Sequence, residues 1–260
     1  MRAAMQATML VAVALVLQAP VAALASAQRM RPERMREMSG NRAIRTFLLA
    51  DVLEFQPNGS EGDVNIEGLA WIGGDYRRLF IRVQGEQPTG VGGGGAFQGD
   101  ILFGRLITPF WSAVAGARVD TRPATDGASD RRVTRGMLAV GLVGLAPLWF
   151  ELEPTLYVSQ AGDVSVDFET SFDLLLTQRL IVQPRFELNA ALQKVPAFGV
   201  GSGLNDVELG ARMRYEIRRK FAPYVGVSWV RRTSGTAAMA RAAGQSVSEG
   251  RFVAGVRMWR

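Results

Sequence analysis

Residues 164–193 alternate between apolar and polar side chains almost without a break, and this alternation strongly limits the possible fold. Val166 and Phe168 fall on one parity, whereas Asp167 and Glu169 fall on the other. Because successive side chains of a β-strand project to opposite faces, the segment predicts two successive strands, each apolar on one face and charged on the other. Both would exceed the usual strand of about 5–6 residues. Such strands are typical of a transmembrane β-barrel, with lipid outside and polar side chains inside.

The N-terminal segment has the features of a secretory signal peptide. An apolar stretch over residues 8–17 precedes a small-residue cleavage site at residues 25–27. We therefore expect residues 1–27 to be removed on export. Residues 28–40 are rich in arginine and methionine and predict a short periplasmic arm, which leaves residues 41–260 for the barrel.

The same alternation continues along the chain and predicts an all-β, antiparallel, up-and-down transmembrane barrel of about 12 strands. Residues 231–249 are expected to form a long polar loop. The first strand has no clear inner face, because Asp51 and Glu54 lie on opposite parities. The predicted strands cover residues 44–56, 63–72, 78–84, 97–107, 111–120, 136–146, 148–159, 164–180, 181–195, 206–218, 221–230 and 251–259.

Charged residues of both signs occupy the polar parities, and they are expected to pair inside the barrel. An arginine facing lipid would cost about 2–4 kcal/mol at the midplane of the bilayer, which favours the interior. The five tryptophans lie near predicted strand ends, as interfacial girdles require. The charged residues assigned to the interior are Glu67, Glu151, Glu153, Asp167, Glu169, Glu187 and Glu208 with Arg82, Arg118, Arg185, Arg212 and Arg214.

The composition argues against several classes of function. The chain has no cysteine, which excludes disulfides and thiolate chemistry, and it has no histidine. Barrel enzymes usually need a histidine as general base, so we do not expect an enzyme. The formal net charge is +6, but acidic residues are interspersed throughout, so the chain does not resemble a nucleic-acid-binding protein.

Ordered blocks of sequence resemble the outer-membrane copper resistance protein B family. Two of them are Glu67-Gly-Leu-Ala-Trp-Ile-Gly-Gly-Asp75 and Gly104-Arg-Leu-Ile-Thr-Pro-Phe-Trp111, and the resemblance extends over roughly residues 44–260. It implies an outer-membrane barrel in a Gram-negative cell that contributes to copper tolerance, usually beside a periplasmic multicopper oxidase. The other resembling blocks are residues 78–86, 115–120, 140–147, 176–180, 183–187, 201–204, 214–218 and 221–226.

The resemblance also implies a His- and Met-rich N-terminal extension that would hold copper. Here Met30, Met35 and Met38 are what remains of it. Thioether sulfur selects Cu(I), so these methionines are candidate ligands, although an incidental Met-rich arm is the competing interpretation. Inside the barrel, a second candidate is a cation-attracting cluster, for which structural charge pairs are the alternative because carboxylates alone favour hard ions. Its members are Glu151, Glu153, Asp167, Glu169 and Glu187.

Two functional hypotheses are compatible with these features. In the first, the barrel contributes to copper resistance and copper homeostasis by binding or translocating copper ions, with outer-membrane lipid around it. In the second, it is a narrow small-solute pore or a structural barrel without copper binding, which the absent histidines favour.

Overall fold

The computed structural model describes residues 44–58, 61–90, 94–123 and 132–260. The predicted signal peptide and the predicted arm lie outside these residues. The described chain forms one antiparallel sheet of 13 strands. The strands are β1 (Arg45–Asn58), β2 (Glu61–Gly73), β3 (Arg77–Pro88), β4 (Ala96–Thr108), β5 (Trp111–Pro123), β6 (Arg132–Ala146), β7 (Phe150–Ser159), β8 (Val164–Ser171), β9 (Leu174–Leu175), β10 (Leu180–Ala191), β11 (Gly203–Tyr215), β12 (Phe221–Arg232) and β13 (Ser248–Trp259).

The sheet closes into a barrel. Each long strand pairs with the next one along the chain, and β1 also pairs with β13, so every long strand has two neighbours. Twelve long strands and one two-residue strand, β9, make up this sheet. The predicted all-β antiparallel barrel of about 12 strands is therefore confirmed.

The predicted strand 164–180 is interrupted, and proline explains the interruption. Ser171 pairs with Arg185, and β9 pairs with β10 in the same register. Between them, Phe172 lies opposite Pro184 and donates its backbone N–H to the Pro184 carbonyl at 3.3 Å. Because proline has no N–H to return the bond, the ladder breaks here and β9 continues β8 as a separate short strand.

A β-bulge resolves the conflicting parities of the first strand. The register of β1 against both neighbours shifts between Ala50 and residues 52–53. An extra residue in one strand reverses the facing of the residues after it, so side chains of opposite parity can reach the same face. Asp51 contacts Arg257 at 2.7 Å and Glu54 contacts Arg212 at 2.9 Å, and both carboxylates belong to the interior.

The two ends of the barrel differ in the length of their connections. We call the end at which residues 192–202 and 233–247 connect the strands the loop end, and the end with the short connections 74–76 and 109–110 the turn end. The first and last described residues both lie at the turn end. Among the described residues, no helix is long and apolar enough to cross a membrane.

The predicted long polar loop over residues 231–249 is shorter in the structure and contains a helix. The strand β12 continues to Arg232, and a helix, α1, runs over Ser234–Ala242 before β13 begins. The segment is rich in alanine, the residue with the highest helix propensity. Ala237 and Ala240, three residues apart on one face, are buried, and this burial fixes the helix against β11.

The two faces of the barrel have opposite character. The outer face is apolar and exposed, as at Leu138, Val140 and Phe252. The interior is mixed: charged side chains of both signs are buried there, and an apolar cluster packs along one wall. This cluster contains Phe80, Leu102, Val114, Met137, Ala139 and Tyr157.

Only part of the predicted tryptophan girdle faces outward. Trp149 is 74% exposed in the turn before β7, and Trp229 is exposed on β12. Trp71 instead packs against the interior apolar cluster and stacks on Phe47, with ring centroids 5.9 Å apart. It shares the strand parity of Glu67, so its nearness to a strand end does not place it on the outer surface.

Candidate functional site

Arg185 is the centre of the interior charge network. It projects from β10 and its side chain is 6% exposed. Its guanidinium donates a hydrogen bond to Glu67 of β2 at 2.7 Å and contacts Glu187 at 2.6 Å and Glu169 at 3.1 Å. Since β2 and β10 are separated by at least four other strands around the barrel, the Arg185–Glu67 pair crosses the lumen.

A second arginine organises the neighbouring wall. Arg118 donates two hydrogen bonds to Asp100, at 2.6 and 2.9 Å, and a third to Asp167 at 2.7 Å. Its guanidinium also lies over the ring of Tyr157, 3.8 Å from the centroid. The guanidinium thus bonds both oxygens of Asp100 and one oxygen of Asp167. These bonds and the ring contact fix the orientation of the arginine side chain.

Further ion pairs join strands that are not neighbours. Arg82 of β3 contacts Glu153 of β7 at 2.8 Å, and Arg214 of β11 binds Asp173, which follows β8. Together with the pairs above, these bridges form what we call the ion-pair belt. Its members are Arg82, Arg118, Arg185, Arg212 and Arg214 with Glu54, Glu67, Asp100, Glu153, Asp167, Glu169, Asp173 and Glu187.

A chain of hydrogen bonds connects the belt to helix α1 at the loop end. Asp167, held by Arg118, accepts a bond from Asn189, whose side-chain oxygen accepts a bond from Asn205 at 2.9 Å. Thr236 of α1 donates to Asn205 at 2.8 Å and accepts a bond from the N–H of Gly201 at 2.9 Å. The loop end is thus tied to the barrel interior by buried polar contacts, which are costly to leave unsatisfied.

An acidic cavity of about 300 Å³ lies in the lumen between the belt and the loop end. Six glutamates and three arginines line it, so carboxylates outnumber cationic groups by three. Such a wall attracts cations and repels anions. The charged residues of the acidic cavity are Glu54, Glu67, Glu86, Glu187, Glu208 and Glu249 with Arg212, Arg232 and Arg251.

Two of these glutamates differ from the rest. Glu86 and Glu208 have no arginine within ion-pair distance among the residues that the structure describes, whereas the other four each contact one. Glu208 accepts a hydrogen bond from Ser228 at 2.6 Å. These two are therefore the cavity carboxylates that a cation can approach without displacing an arginine already in ion-pair contact.

The five acidic residues predicted from sequence all face the interior, but four of them are divided among three arginines. Glu153 contacts Arg82, Asp167 contacts Arg118, and Glu169 and Glu187 share Arg185. Glu151 accepts a long hydrogen bond from Ser171, at 3.4 Å. Only Glu187 lines the acidic cavity. The candidate thioether ligands Met30, Met35 and Met38 lie outside the described residues.

The donor set of the described barrel does not suit a tight copper site. The sequence has no imidazole and no thiolate. Within the described ranges, no group of three or more acidic side chains is arranged to hold a metal ion. Carboxylate oxygens prefer harder ions than copper, and every carboxylate of the belt already contacts a guanidinium.

Sequence reasoning missed most of the cavity wall. Parity assigns Glu67 and Glu208 to the interior, but nothing in their spacing links them to each other. Glu54 is ambiguous in sequence because of the bulge, and Glu249 falls in a predicted loop. In register, Glu153, Glu169, Glu187 and Glu208 lie directly opposite one another across four adjacent strands. Pairing the predicted strands by their hairpins could have revealed this acidic row.

Comparison with known proteins places this architecture in a family. The family model described as "Copper resistance protein B precursor (CopB)" matches residues 44–260. A copper resistance protein B from Escherichia coli is 40% identical over 217 residues, which cover 84% of this chain and 70% of that protein. A copper resistance protein B homolog from Pseudomonas syringae pv. tomato is 38% identical over 217 residues, which again cover 84% of this chain and 70% of that protein.

The fold also has a solved counterpart. A structure of the NanC porin superimposes with a TM-score of 0.52 at 10% identity, covering 82% of this chain and 99% of that one. At such low identity the likeness concerns the fold alone. The sequence matches decide the relationship: the chain belongs to the copper resistance protein B family.

Proposed function

We propose that this protein is an outer-membrane barrel that contributes to copper resistance and copper homeostasis by handling copper ions as cargo, without catalysis. Family membership supports the link to copper. The apolar outer face and the polar interior support a membrane location, because only a closed barrel or a helix satisfies every backbone group in lipid. Short turns at one end and longer loops at the other favour the turn end in the periplasm.

The observation that carries the proposal is the acidic cavity at the loop end. Its excess of three carboxylates over guanidinium groups would concentrate cations there. In the proposed arrangement, cations enter from the loop end and the carboxylates of Glu86 and Glu208 provide weak, exchangeable contacts. The ion-pair belt below would then restrict further passage.

Tight binding of Cu(I) is assigned in this proposal to the arm. Met30, Met35 and Met38 are three to five residues apart and offer soft thioether sulfur. A signal peptide over residues 1–27 and a periplasmic multicopper oxidase as a neighbour complete the proposal, and both derive from the resemblance and the sequence pattern.

Copper titration of the refolded protein tests these assignments separately. We expect the triple variant Met30→Ala, Met35→Ala, Met38→Ala to lose Cu(I) binding and to keep weak Cu(II) binding. We expect the double variant Glu86→Gln, Glu208→Gln to show the reverse. A matched control is Asp75→Asn with Glu216→Gln, which removes two acidic charges from the turn end. Equal binding by all four proteins would refute both assignments.

The alternative function is a narrow small-solute pore or a structural barrel without copper binding. The lumen-crossing contact between Arg185 and Glu67 favours this alternative. The guanidinium narrows the passage and binds a carboxylate that would otherwise be available to a cation. Single-channel recording distinguishes the two functions. A steady, unselective current that copper does not alter would support the pore, whereas a small cation-selective current blocked by copper would support copper handling.

A further inference from the structure

Two arginines lie directly opposite each other on the outer face of the barrel. Arg77 is the first residue of β3, and its register partner on β4 is Arg105. The neighbouring residues of the same parity, Leu79 and Phe103, are exposed apolar side chains, whereas Phe80 is buried in the interior. Arg77 and Arg105 therefore share the outer face at the turn end, where the apolar band ends.

The backbone geometry brings these two side chains close together. Leu106 donates its N–H to the Tyr76 carbonyl at 2.9 Å, so the adjacent residue pair is hydrogen-bonded. In antiparallel sheets the pairs alternate, and Arg77 and Arg105 therefore occupy a non-hydrogen-bonded pair, in which side chains approach more closely. Like charges directly opposite each other in this way are destabilising.

No counter-charge in the described part of the chain relieves this repulsion. Neither guanidinium forms an ion pair with a described carboxylate. Asp75, the acidic residue in the turn before β3, instead contacts Arg45 at 3.4 Å. Two exposed guanidinium groups without an anion, fixed side by side by the register, suggest that an anion from outside the chain completes the arrangement.

The surroundings indicate which anion this is. Tyr76 and Phe110, in the turns on either side of the pair, are 61% and 60% exposed, as expected of aromatic residues at a membrane interface. Toward the middle of the strands the outer face is apolar, with Leu79 opposite Phe103 and then Ile81 opposite Ile101. An anion bound here therefore has acyl chains on one side and water on the other.

We propose that Arg77 and Arg105 form a binding site for the phosphate group of an anionic membrane phospholipid at the turn end. Two guanidinium groups can hold one phosphate through charge-assisted hydrogen bonds, and its negative charge cancels their repulsion. The acyl chains lie along the apolar ladder that begins at Leu79 and Phe103. The site rests on the membrane location proposed above, but it is independent of copper.

Native mass spectrometry of the purified full chain tests the site. Phosphatidylglycerol is added in excess, with phosphatidylcholine and inorganic phosphate as separate probes. We expect the wild type to retain one phosphatidylglycerol, and the double variant Arg77→Gln, Arg105→Gln to bind it at least fivefold more weakly. The matched control is Arg218→Gln with Arg219→Gln, which removes the same charge from an exposed turn at the same end and keeps wild-type binding.

The unfolding temperature tests the site independently of lipid binding, because the order of stability of the wild type and the variant should depend on the lipid. In phosphatidylcholine bilayers, Arg105→Gln should unfold at the same temperature as the wild type or a higher one, because it removes a repulsion. In bilayers that contain phosphatidylglycerol, the wild type should be the more stable protein. Heat-modifiable electrophoretic mobility confirms that each variant is folded before binding is compared.

Three results would overturn the proposal. These are equal retention of phosphatidylglycerol by the wild type and the double variant, an equal loss in the control variant, and displacement of the lipid by inorganic phosphate at the same concentration. A normal copper titration alongside a failed lipid experiment would discard the lipid site and leave the proposed function intact. Normal lipid binding alongside a failed copper titration would discard copper handling and leave the lipid site.

Discussion

Replacing Arg185 by glutamine is expected to destabilise the barrel and to open its lumen at the same time. The side chain is 6% exposed and contacts Glu67, Glu169 and Glu187 within 3.1 Å. Glutamine is shorter and uncharged, so the variant leaves three neighbouring carboxylates without their cation. Their mutual repulsion is then unopposed inside the barrel.

The size of the effect depends on the burial of the partners. Removing one member of a buried ion pair typically costs about 3–5 kcal/mol, since it leaves an uncompensated charge. The side chains of the three glutamates remain 25–36% exposed, so water can relieve part of that cost. We therefore expect the free energy of unfolding to fall by about 3 kcal/mol, at the lower end of the range.

Urea unfolding in lipid vesicles, followed by tryptophan fluorescence, measures this change. The control is Arg179→Gln, an exposed arginine in the turn before β10, whose replacement should change stability by less than about 0.5 kcal/mol. The double variant Arg185→Gln, Glu187→Gln removes one of the stranded charges and should recover part of the loss. The single variant Glu187→Gln completes the cycle, and the coupling between the two residues is the difference between the effect of the double variant and the summed effects of the two single variants.

Conductance gives the second readout for the same variant. Because the Arg185–Glu67 contact crosses the lumen, its loss should raise single-channel conductance and make the current more cation-selective. A variant that unfolds at the wild-type urea concentration and conducts as the wild type does would refute the reasoning. It would mean that Arg185 neither neutralises the three glutamates nor narrows the lumen.

Two further predictions concern positions where the backbone or a side chain has little freedom. Gly116→Ala should destabilise the barrel by about 1–3 kcal/mol through overpacking, because a Cβ at Gly116 would lie 1.9 Å from the Ile101 carbonyl oxygen. Urea unfolding measures this change. The control is Gly74→Ala, because a Cβ at Gly74 would have no atom within 4 Å. Thr236→Val should leave the N–H of Gly201 and the side-chain oxygen of Asn205 without their partner, at a cost of about 1–3 kcal/mol. Hydrogen exchange should then accelerate across α1, and unchanged exchange there would show that the Thr236 contacts do not hold the helix.

Side-chain alternation predicted the barrel well because strand parity is a local property. The alternation of residues 164–193 was enough to place Asp167, Glu169 and Glu187 in the interior, where the structure has them. The breaks in the pattern were harder to predict. The effect of Pro184 is exerted on Phe172, twelve residues away, and it becomes visible only when the two strands are paired in register.

The candidate site was less predictable than the fold because its members come from many strands. The acidic cavity collects Glu86 from β3, Glu208 from β11 and Glu249 from β13. No spacing along the chain relates these residues, because their proximity depends on the closure of the whole barrel. The bulge near Asp51 added a further difficulty, since one extra residue reverses the face of every residue after it.

The cavity differs from the ion-pair belt in having two carboxylates, Glu86 and Glu208, without an ion-pair partner among the described residues, and this difference bears directly on how a cation would be handled. A cation that enters the belt has to displace a guanidinium that already contacts carboxylates at 2.6–2.9 Å, as Arg118 does with Asp100. At Glu86 and Glu208 it meets carboxylates with no arginine within ion-pair distance among the described residues, so it gains attraction without breaking an ion pair. Weak, exchangeable capture at the loop end is therefore favoured over passage through the belt, which is why neutralising Glu86 and Glu208 should weaken Cu(II) binding more than any equal change of charge at the turn end.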